Sequence, residues 1–328
     1  MKSRNEDVAK LTDDQAIDGV VDILNQPNLY DVFKNYVKEF DQDNAEIAPD
    51  GSVKIVRKPM EVVTEQDPNF SKVEMKGQSV VGNLFRIIQV GNLGYINPGA
   101  KTIGSFLAKL KRLTPVSKED GKGFNQDSSD LISSVSDKVR FSIIIPDFAT
   151  APALVAYLLG KFGGEAKIRD ENHDKDGSYE SIHLNFIYKG INVEFQLHTR
   201  KNIELKKMTD IFYHAYIECA NSDKELAEQL ADERSIASIE KEKFRQEIVK
   251  YCQVVYRRTD FRENRDKVEA IYRDFVRKGA KPQKKRKLSH CCMYIWKAEA
   301  IQKELAEQMP QLLSDFQKMQ NMSLDYEK

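Results

Sequence analysis

The 328-residue sequence predicts an α+β protein, in which a β-sheet with packed helices is flanked by helical N- and C-terminal regions. Three observations predict it. Residues 182–198 alternate apolar and polar side chains around a break that contains glycine, which is typical of a β-hairpin. Residues 139–168 read strand, helix, strand, and residues 221–328 follow helical spacing almost throughout. We expect a helical region and linker over 1–75, a sheet domain over 76–220 and a helical region over 221–328.

Composition limits the class of protein. The chain has no net charge, and 41% hydrophobic residues suffice for a core. No apolar run reaches the roughly 20 residues that a membrane span needs, and the first residues lack the apolar core of a signal peptide. The four cysteines have neither a disulfide framework nor metal-ligand spacing. We therefore expect a cytoplasmic protein with reduced thiols and no membrane partner, located in the producing cell or in a target cell.

The neutral total hides an uneven charge distribution. Residues 1–50 contain 12 acidic and 5 basic residues, whereas residues 241–290 contain 17 basic and 7 acidic residues. Five of those bases lie in 279–287. A solvated loop is one interpretation of that segment, and contact with a phosphate backbone, as on RNA, is the other.

The N-terminal region predicts helices followed by a linker. Apolar residues recur at helical spacing over 16–24 and 29–37. Residues 41–72 are polar and rich in turn formers, with Pro49-Asp50-Gly51 as a turn signal.

Residues 101–112 predict an amphipathic helix. Ile103, Phe106, Leu107 and Leu110 form one apolar stripe. The opposite face carries Lys101, Ser105, Lys109 and Arg112. Taken alone, such a face is most simply a solvated basic surface.

The sheet domain continues with a strand over 139–145, which Pro146 ends. A helix over 151–161 follows, with Thr150 as its expected N-cap, and then a strand over 165–168. After the hairpin, apolar spacing predicts a helix over 205–220.

The hairpin predicts a specific register. If Lys189 and Gly190 form the turn, His183 lies opposite Gln196 and Asn185 opposite Glu194. One face is then an apolar ladder. The other is a polar strip of Ser181, His183, Asn185, Glu194, Gln196 and His198. Such a strip is either an ordinary solvated face or a functional one, and its mixture of hydrogen-bonding groups with one carboxylate favours function.

The segments SYESIHLNF (178–186) and VEFQLHT (193–199) resemble the core signature of RelA/SpoT-type nucleotidyltransferases. That signature is a Gly-Tyr-Arg-Ser-Ile/Leu-His strand followed by Glu-Ile-Gln-Ile-Arg-Thr. The sequence is most similar to the small, divergent and toxin-like members, over roughly residues 80–220. The resemblance implies a mixed, nucleotidyltransferase-like sheet without the family's hydrolase domain.

The resemblance also implies an activity: Mg²⁺-dependent transfer of pyrophosphate from ATP to the 3′-hydroxyl of GDP or GTP. The implied catalytic and metal-binding carboxylates are Asp137 and Glu194. The side chains implied to bind ATP are Lys101, Ser105, Lys109, Arg112 and Arg140. Those implied to bind the acceptor are Tyr179, His183, Asn185, Gln196 and His198. Such chemistry needs positioning and charge stabilisation more than covalent work by the protein.

Three departures from the family pattern keep other functions open. Ser178 replaces a glycine, Glu180 an arginine and His198 another arginine. A carboxylate at 180 would repel phosphates if it faced them. The chain is then an alarmone synthetase, a toxin or effector that modifies another nucleotide or a tRNA end, or a non-catalytic domain that binds a nucleotide or a protein. The Asp137/Glu194 pair argues against the third, and Glu180 with the basic loop leans towards the second.

Overall fold

The computed structural model describes residues 8–26, 44–58, 60–64, 86–98, 138–169, 179–213, 228–229, 231–257, 260–279 and 291–326. Its helices are α1 (Asp13–Leu24), α2 (Ala151–Phe162), α3 (Arg200–Tyr213), α4 (Ile236–Arg257), α5 (Phe261–Arg277) and α6 (Cys291–Tyr326). Its strands are β1 (Ala45–Ile47), β2 (Val53–Ile55), β3 (Val62–Val63), β4 (Ile87–Val90), β5 (Leu93–Ile96), β6 (Val139–Ile145), β7 (Glu165–Arg169), β8 (Ser181–Tyr188) and β9 (Ile191–Thr199).

Seven strands form one mixed sheet in the order β3-β4-β5-β6-β9-β8-β7. The central pair β6 and β9 is parallel, as is the edge pair β3 and β4, and the other neighbours are antiparallel. Helices pack on this sheet, so the predicted α+β class is confirmed. Strands β1 and β2 make a separate two-stranded hairpin.

The predicted hairpin register is confirmed. His183 pairs with Gln196, and Asn185 pairs with Glu194. Lys189 and Gly190 have φ of 49° and 86°, the left-handed conformation that a two-residue hairpin turn requires at both positions. Glycine adopts it without strain, which explains the break in the sequence pattern.

The long elements of the sheet domain also match their predictions. The strand over 139–145 is confirmed, the helix runs one residue beyond 161 and the next strand ends at Arg169. Thr150 is the N-cap residue, as predicted, but its side chain makes no capping hydrogen bond. Instead, the Asp147 carboxylate accepts from the Thr150 N–H and caps a short 3₁₀ turn ahead of α2. Helix α3 begins at Arg200, five residues before the predicted start, and 214–220 lie outside the described residues.

The N-terminal part differs most from the prediction. Helix α1 covers the predicted stretch 16–24 and begins at Asp13, after a capping box between Thr12 and Gln15. Where a linker was expected, β1 and β2 form a hairpin around Gly51, and β3 joins the edge of the main sheet. Strands β4 and β5 were not predicted. Strands of two to four residues are too short to show alternation. The stretch 29–37, predicted to be helical, lies outside the described residues.

The two faces of the sheet are covered by different helices. Helices α2, α5 and α6 bury the apolar ladder of β6, β8 and β9 in the largest core. On the other face, Ile203 of α3 packs against Ile87, Ile96 and Ile144. A further core joins α1, α3 and α4. No helix in the described ranges is long and apolar enough to cross a membrane.

Candidate active site on the polar face of the sheet

The polar strip predicted from the hairpin is buried. His198 has no exposed surface and Glu194 is 7% exposed, so an ordinary solvated face is excluded for these residues. The same holds for Ser181, His183 and Gln196. Buried polar groups are costly unless they are hydrogen-bonded, so their partners decide how the strip is held.

Five side chains of this face form a closed hydrogen-bonded circuit, here called the polar ring: Tyr179, His183, Glu194, Gln196 and His198. Gln196 Nε2 donates to Glu194 Oε1 at 2.6 Å, and His183 Nδ1 lies 3.4 Å from Glu194 Oε2. The Tyr179 hydroxyl lies 3.1 Å from His183 Nε2 and 3.4 Å from His198 Nε2. A contact of 3.5 Å between His198 Nε2 and Gln196 Oε1 closes the ring.

One assignment of protons satisfies every contact in the ring. An ionised Glu194 only accepts, so His183 carries its proton on Nδ1 and donates it to Glu194. His183 Nε2 then accepts from the Tyr179 O–H, and the Tyr179 oxygen accepts from His198 Nε2–H. His198 Nδ1 is left as a bare lone pair, in agreement with its lack of a hydrogen-bond partner in the described structure. Gln196 and His183 donate directly to Glu194, and Tyr179 and His198 donate to the next group in the chain that leads to it.

Electrostatics keep His198 neutral in this arrangement. Complete burial, together with the nearby Lys206 ammonium and His183, holds the pKa of His198 well below its usual range. Lys206 of α3 also lies 6.0 Å from the centre of the Tyr179 ring and forms an ion pair with Asp210. Helix α3 therefore places a positive charge beside the polar ring, and this charge opposes protonation of His198.

Arg140 is the basic residue adjacent to Glu194 across the sheet. The parallel register of β6 and β9 pairs Arg140 with Glu194 and Ser142 with Gln196. Arg140 is exposed, whereas Glu194 is buried. Because residues paired across neighbouring strands point to the same side of a sheet, Arg140 shares the polar face with Glu194. The face thus combines one carboxylate with one cation on neighbouring strands.

Two oxygen donors on this face suit a hard cation such as Mg²⁺. Glu194 supplies a carboxylate, and its cross-strand neighbour Asn185 has a buried Oδ1 with no hydrogen-bond partner in the described part of the chain. Within those residues, no three His, Cys, Asp or Glu side chains form a metal-binding group. The expected second carboxylate, Asp137, lies outside the described residues.

Glu180 does not share the face of the polar ring. It is 2% exposed, and Arg262 Nε of α5 lies 3.6 Å from its Oε1. Helix α5 packs on the apolar face of the sheet, opposite to Glu194. Repulsion of a bound phosphate was expected only if this carboxylate faced the ligand, and for a ligand on the polar face that condition is not met.

The structure brings together seven of the predicted site residues: Arg140, Tyr179, His183, Asn185, Glu194, Gln196 and His198. The others, Lys101, Ser105, Lys109, Arg112 and Asp137, lie outside the described ranges. Two residues beside the site were missed. Lys206 gives no signal beyond an ordinary helical lysine, whereas Gln302 is a polar residue inside the apolar stripe of α6.

No protein-family model, curated protein or solved structure matches this chain. The expected membership of the RelA/SpoT-type family stays a prediction.

Proposed function

We propose that this protein is a nucleotide pyrophosphokinase, which transfers pyrophosphate from ATP to the 3′-hydroxyl of GDP or GTP on the polar face of the sheet. The observation that carries the proposal is the pairing of buried Glu194 with exposed Arg140 on adjacent central strands. A carboxylate that takes a proton and a cation that binds phosphate are the two protein groups that this transfer needs most.

In the proposed reaction, the acceptor 3′-oxygen attacks the β-phosphorus of ATP. An O–P bond forms there, and the bond from that phosphorus to the oxygen bridging the α- and β-phosphates breaks, which releases AMP. The hydroxyl proton passes to Glu194. The donors from Gln196 and His183 fix the orientation of the carboxylate, so that little reorganisation accompanies the proton transfer.

The polyphosphate needs positive charge around it. We assign this role to Arg140 and to the basic face of 101–112, with Lys101, Lys109 and Arg112 as cations and Ser105 as a hydrogen-bond donor. A Mg²⁺ held by Glu194 and Asp137, with Asn185 beside them, would supply neutralisation of the phosphate charge.

We place the acceptor next to Tyr179, whose aromatic ring would stack on the purine. Because the Glu180 carboxylate lies beside Arg262 of α5 and outside the polar ring, we do not expect it to oppose the acceptor phosphates. This removes one of the reasons for preferring a toxin that modifies another nucleotide or a tRNA end.

The test is a transfer assay with labelled ATP, Mg²⁺ and a panel of GDP, GTP, other nucleotides and tRNA. Glu194→Gln keeps the shape of the side chain and removes its charge, so turnover should fall by about 10²- to 10⁴-fold, the range for loss of a general base. Glu299→Gln, an exposed carboxylate on α6, is the matched control and should leave turnover unchanged. Equal turnover by the wild type and Glu194→Gln would refute the assignment.

A further inference from the structure

We propose that Gln302 of α6 is a positioning residue for Arg140, and that the C-terminal helix thereby sets the affinity of the site for ATP. The inference rests on the proposed function, in which Arg140 contacts the ATP phosphates. It goes beyond that function because the resemblance to a known family ends near residue 220.

The side-chain amide of Gln302 binds both backbone groups of Arg140. Gln302 Oε1 accepts from the Arg140 N–H at 3.2 Å, and Gln302 Nε2 donates to the Arg140 carbonyl at 3.0 Å. The same Nε2 donates to Asn97 Oδ1 at 2.7 Å. The Gln302 amide therefore makes the two backbone hydrogen bonds that a neighbouring strand would make to Arg140, although the two residues are 162 positions apart in the chain.

The end of β5 explains why a side chain is needed there. The last pair between β5 and β6 joins Ile96 to Ser142. Continuing the register by two residues would set Pro98 opposite Arg140, and proline has no N–H to donate. Without Gln302, the backbone of Arg140 would lack that partner at the point where the sheet carries its exposed cation.

Gln302 stands in an otherwise apolar stripe. Ile301, Leu305, Ala306 and Met309 around it are buried, and Gln302 itself is 3% exposed. An apolar side chain there would avoid the cost of burying an amide, so the hydrogen bonds to Arg140 are what the glutamine contributes. Since those bonds involve only the Arg140 backbone, they fix the position of its Cα and leave its guanidinium available to bind a ligand.

Glu304, in the same turn of α6 as Gln302, makes a second contact between this helix and the strands of the site. The Glu304 carboxylate accepts from Lys189 Nζ at 2.6 Å and from the Tyr188 hydroxyl at 2.9 Å, at the turn between β8 and β9. Helix α6 thus holds both β6 and the hairpin that carries Glu194. Through these two contacts, it fixes the strand bearing the cation relative to the strand bearing the carboxylate.

The experiment is a double-mutant cycle in the full-length protein. Gln302→Met keeps the length and removes the amide, and Gln311→Met, an exposed glutamine on the same helix whose amide bonds only Asp315, is the matched control. Each is made with Arg140 and with Arg140→Ala. The measurements are the KM for ATP, kcat for transfer and the hydrogen exchange of the Arg140 amide.

We expect Gln302→Met to raise the KM for ATP by about ten-fold when Arg140 is present and to have almost no effect in Arg140→Ala, because residues that act together are not additive. The Arg140 amide should exchange faster in Gln302→Met only. A change in KM of the same size in both backgrounds overturns the positioning role and leaves a purely structural one. If the wild type transfers no pyrophosphate, the proposed function fails and the role of Gln302 in ATP affinity fails with it; faster Arg140 amide exchange in Gln302→Met would then show only that the helix holds this backbone.

Discussion

A single hydroxyl joins the two imidazoles of the polar ring. Tyr179 contacts Nε2 of both His183 and His198, donating to one and accepting from the other. The ring of Tyr179 is nearly perpendicular to the His183 ring and tilted by 50° from the His198 ring, with centroids 5.8 Å apart in both cases. The tyrosine therefore has two separable parts, a hydroxyl that satisfies buried nitrogens and an aromatic surface proposed to stack on the acceptor.

Tyr179→Phe separates these parts. Removal of the hydroxyl leaves His183 Nε2 without its partner and His198 Nε2 with only the long contact to Gln196, so the free energy of unfolding should fall by about 1–3 kcal/mol. The aromatic surface remains, so acceptor binding should persist, whereas Tyr179→Ala should lose both. Urea denaturation and acceptor titration of the two variants provide the measurement. Unchanged stability in Tyr179→Phe would contradict the hydrogen-bonded ring.

For individual residues, the sequence predicts which side chains belong to the site better than it predicts whether those side chains are buried. Alternation places His183, Asn185, Glu194 and Gln196 on one face because side chains in strands have a period of two. It does not predict that the face is buried, since burial depends on α3, whose packing is decided by distant contacts. The role of Gln302 was hidden for the same reason, because its partner lies far away along the chain.

Between α2 and β7, the chain approaches the site strand closely at Gly164. Its φ is +106°, and a Cβ there would lie 2.4 Å from the carbonyl oxygen of Asn185. Side chains are thus excluded by both the backbone conformation and the neighbouring strand. The glycine allows β7 to pair directly with β8 at the residue opposite Glu194.

Gly164→Ala should therefore destabilise the protein by about 1–3 kcal/mol, through backbone strain and displacement of β8. Gly160→Ala is the control, since Gly160 lies inside α2 with no heavy atom within 4 Å of an added Cβ. It should stabilise the protein by up to about 1 kcal/mol, because alanine favours helix more than glycine does. Thermal unfolding of both variants tests this. Equal shifts of the two midpoints would show that the approach to Asn185 does not constrain the fold.

An ion-pair network ties α1 to α3, the helix that follows β9. Arg57 binds Asp14, Asp18 and Glu204, and Lys201 Nζ lies 2.6 Å from Asp14 Oδ1. The hydrogen bonds from Lys201 and then Arg57 lower the pKa of Asp14 to about 2. The Asp14 side chain is largely exposed, so solvent and salt screen much of this stabilisation.

A lowered carboxylate pKa gives a defined pH dependence. The contribution of Asp14 is present above the pKa of an unfolded aspartate, about 4, and is lost as the pH falls towards 2. Asp14→Asn should be less stable than the wild type at pH 7, with a shallower loss of stability between pH 4 and 2. Asp22→Asn, an exposed position on the same helix, should follow the wild-type curve. Parallel curves for Asp14→Asn and the wild type in chemical denaturation would exclude the network as the cause.

Element length decides which secondary structures could be predicted. Strands β6, β8 and β9, with seven to nine residues, and helix α2, with 12, show clear periodicity, and each was predicted. Strands β3, β4 and β5 have only two to four residues, and pairing with neighbouring strands stabilises them rather than a pattern in their own sequence. Helix α3 starts earlier than its apolar stripe because Thr199 accepts the Asn202 N–H and starts the helix at the end of β9.

In the whole molecule, the candidate site lies between two cores. The larger core joins α2, α5 and α6 to the apolar face, and the smaller one joins α1, α3 and α4. The polar ring lies on the face that α3 partly covers, while α6 holds the same strands from behind. Helices on both sides of the sheet therefore hold the central strands, and the side chains of the polar face are buried between them and hydrogen-bonded to one another.

The most direct test of the central claim is the identity of the product that leaves when ATP is consumed. With GDP or GTP as acceptor, ATP labelled separately at the β- and γ-phosphates should give AMP, together with an acceptor product that carries both labels in equal amounts. Attack at the β-phosphorus requires this outcome, and it should depend on Glu194. Release of ADP with only the γ-label transferred, or release of free pyrophosphate, or no consumption of ATP at all, would contradict the proposed pyrophosphate transfer.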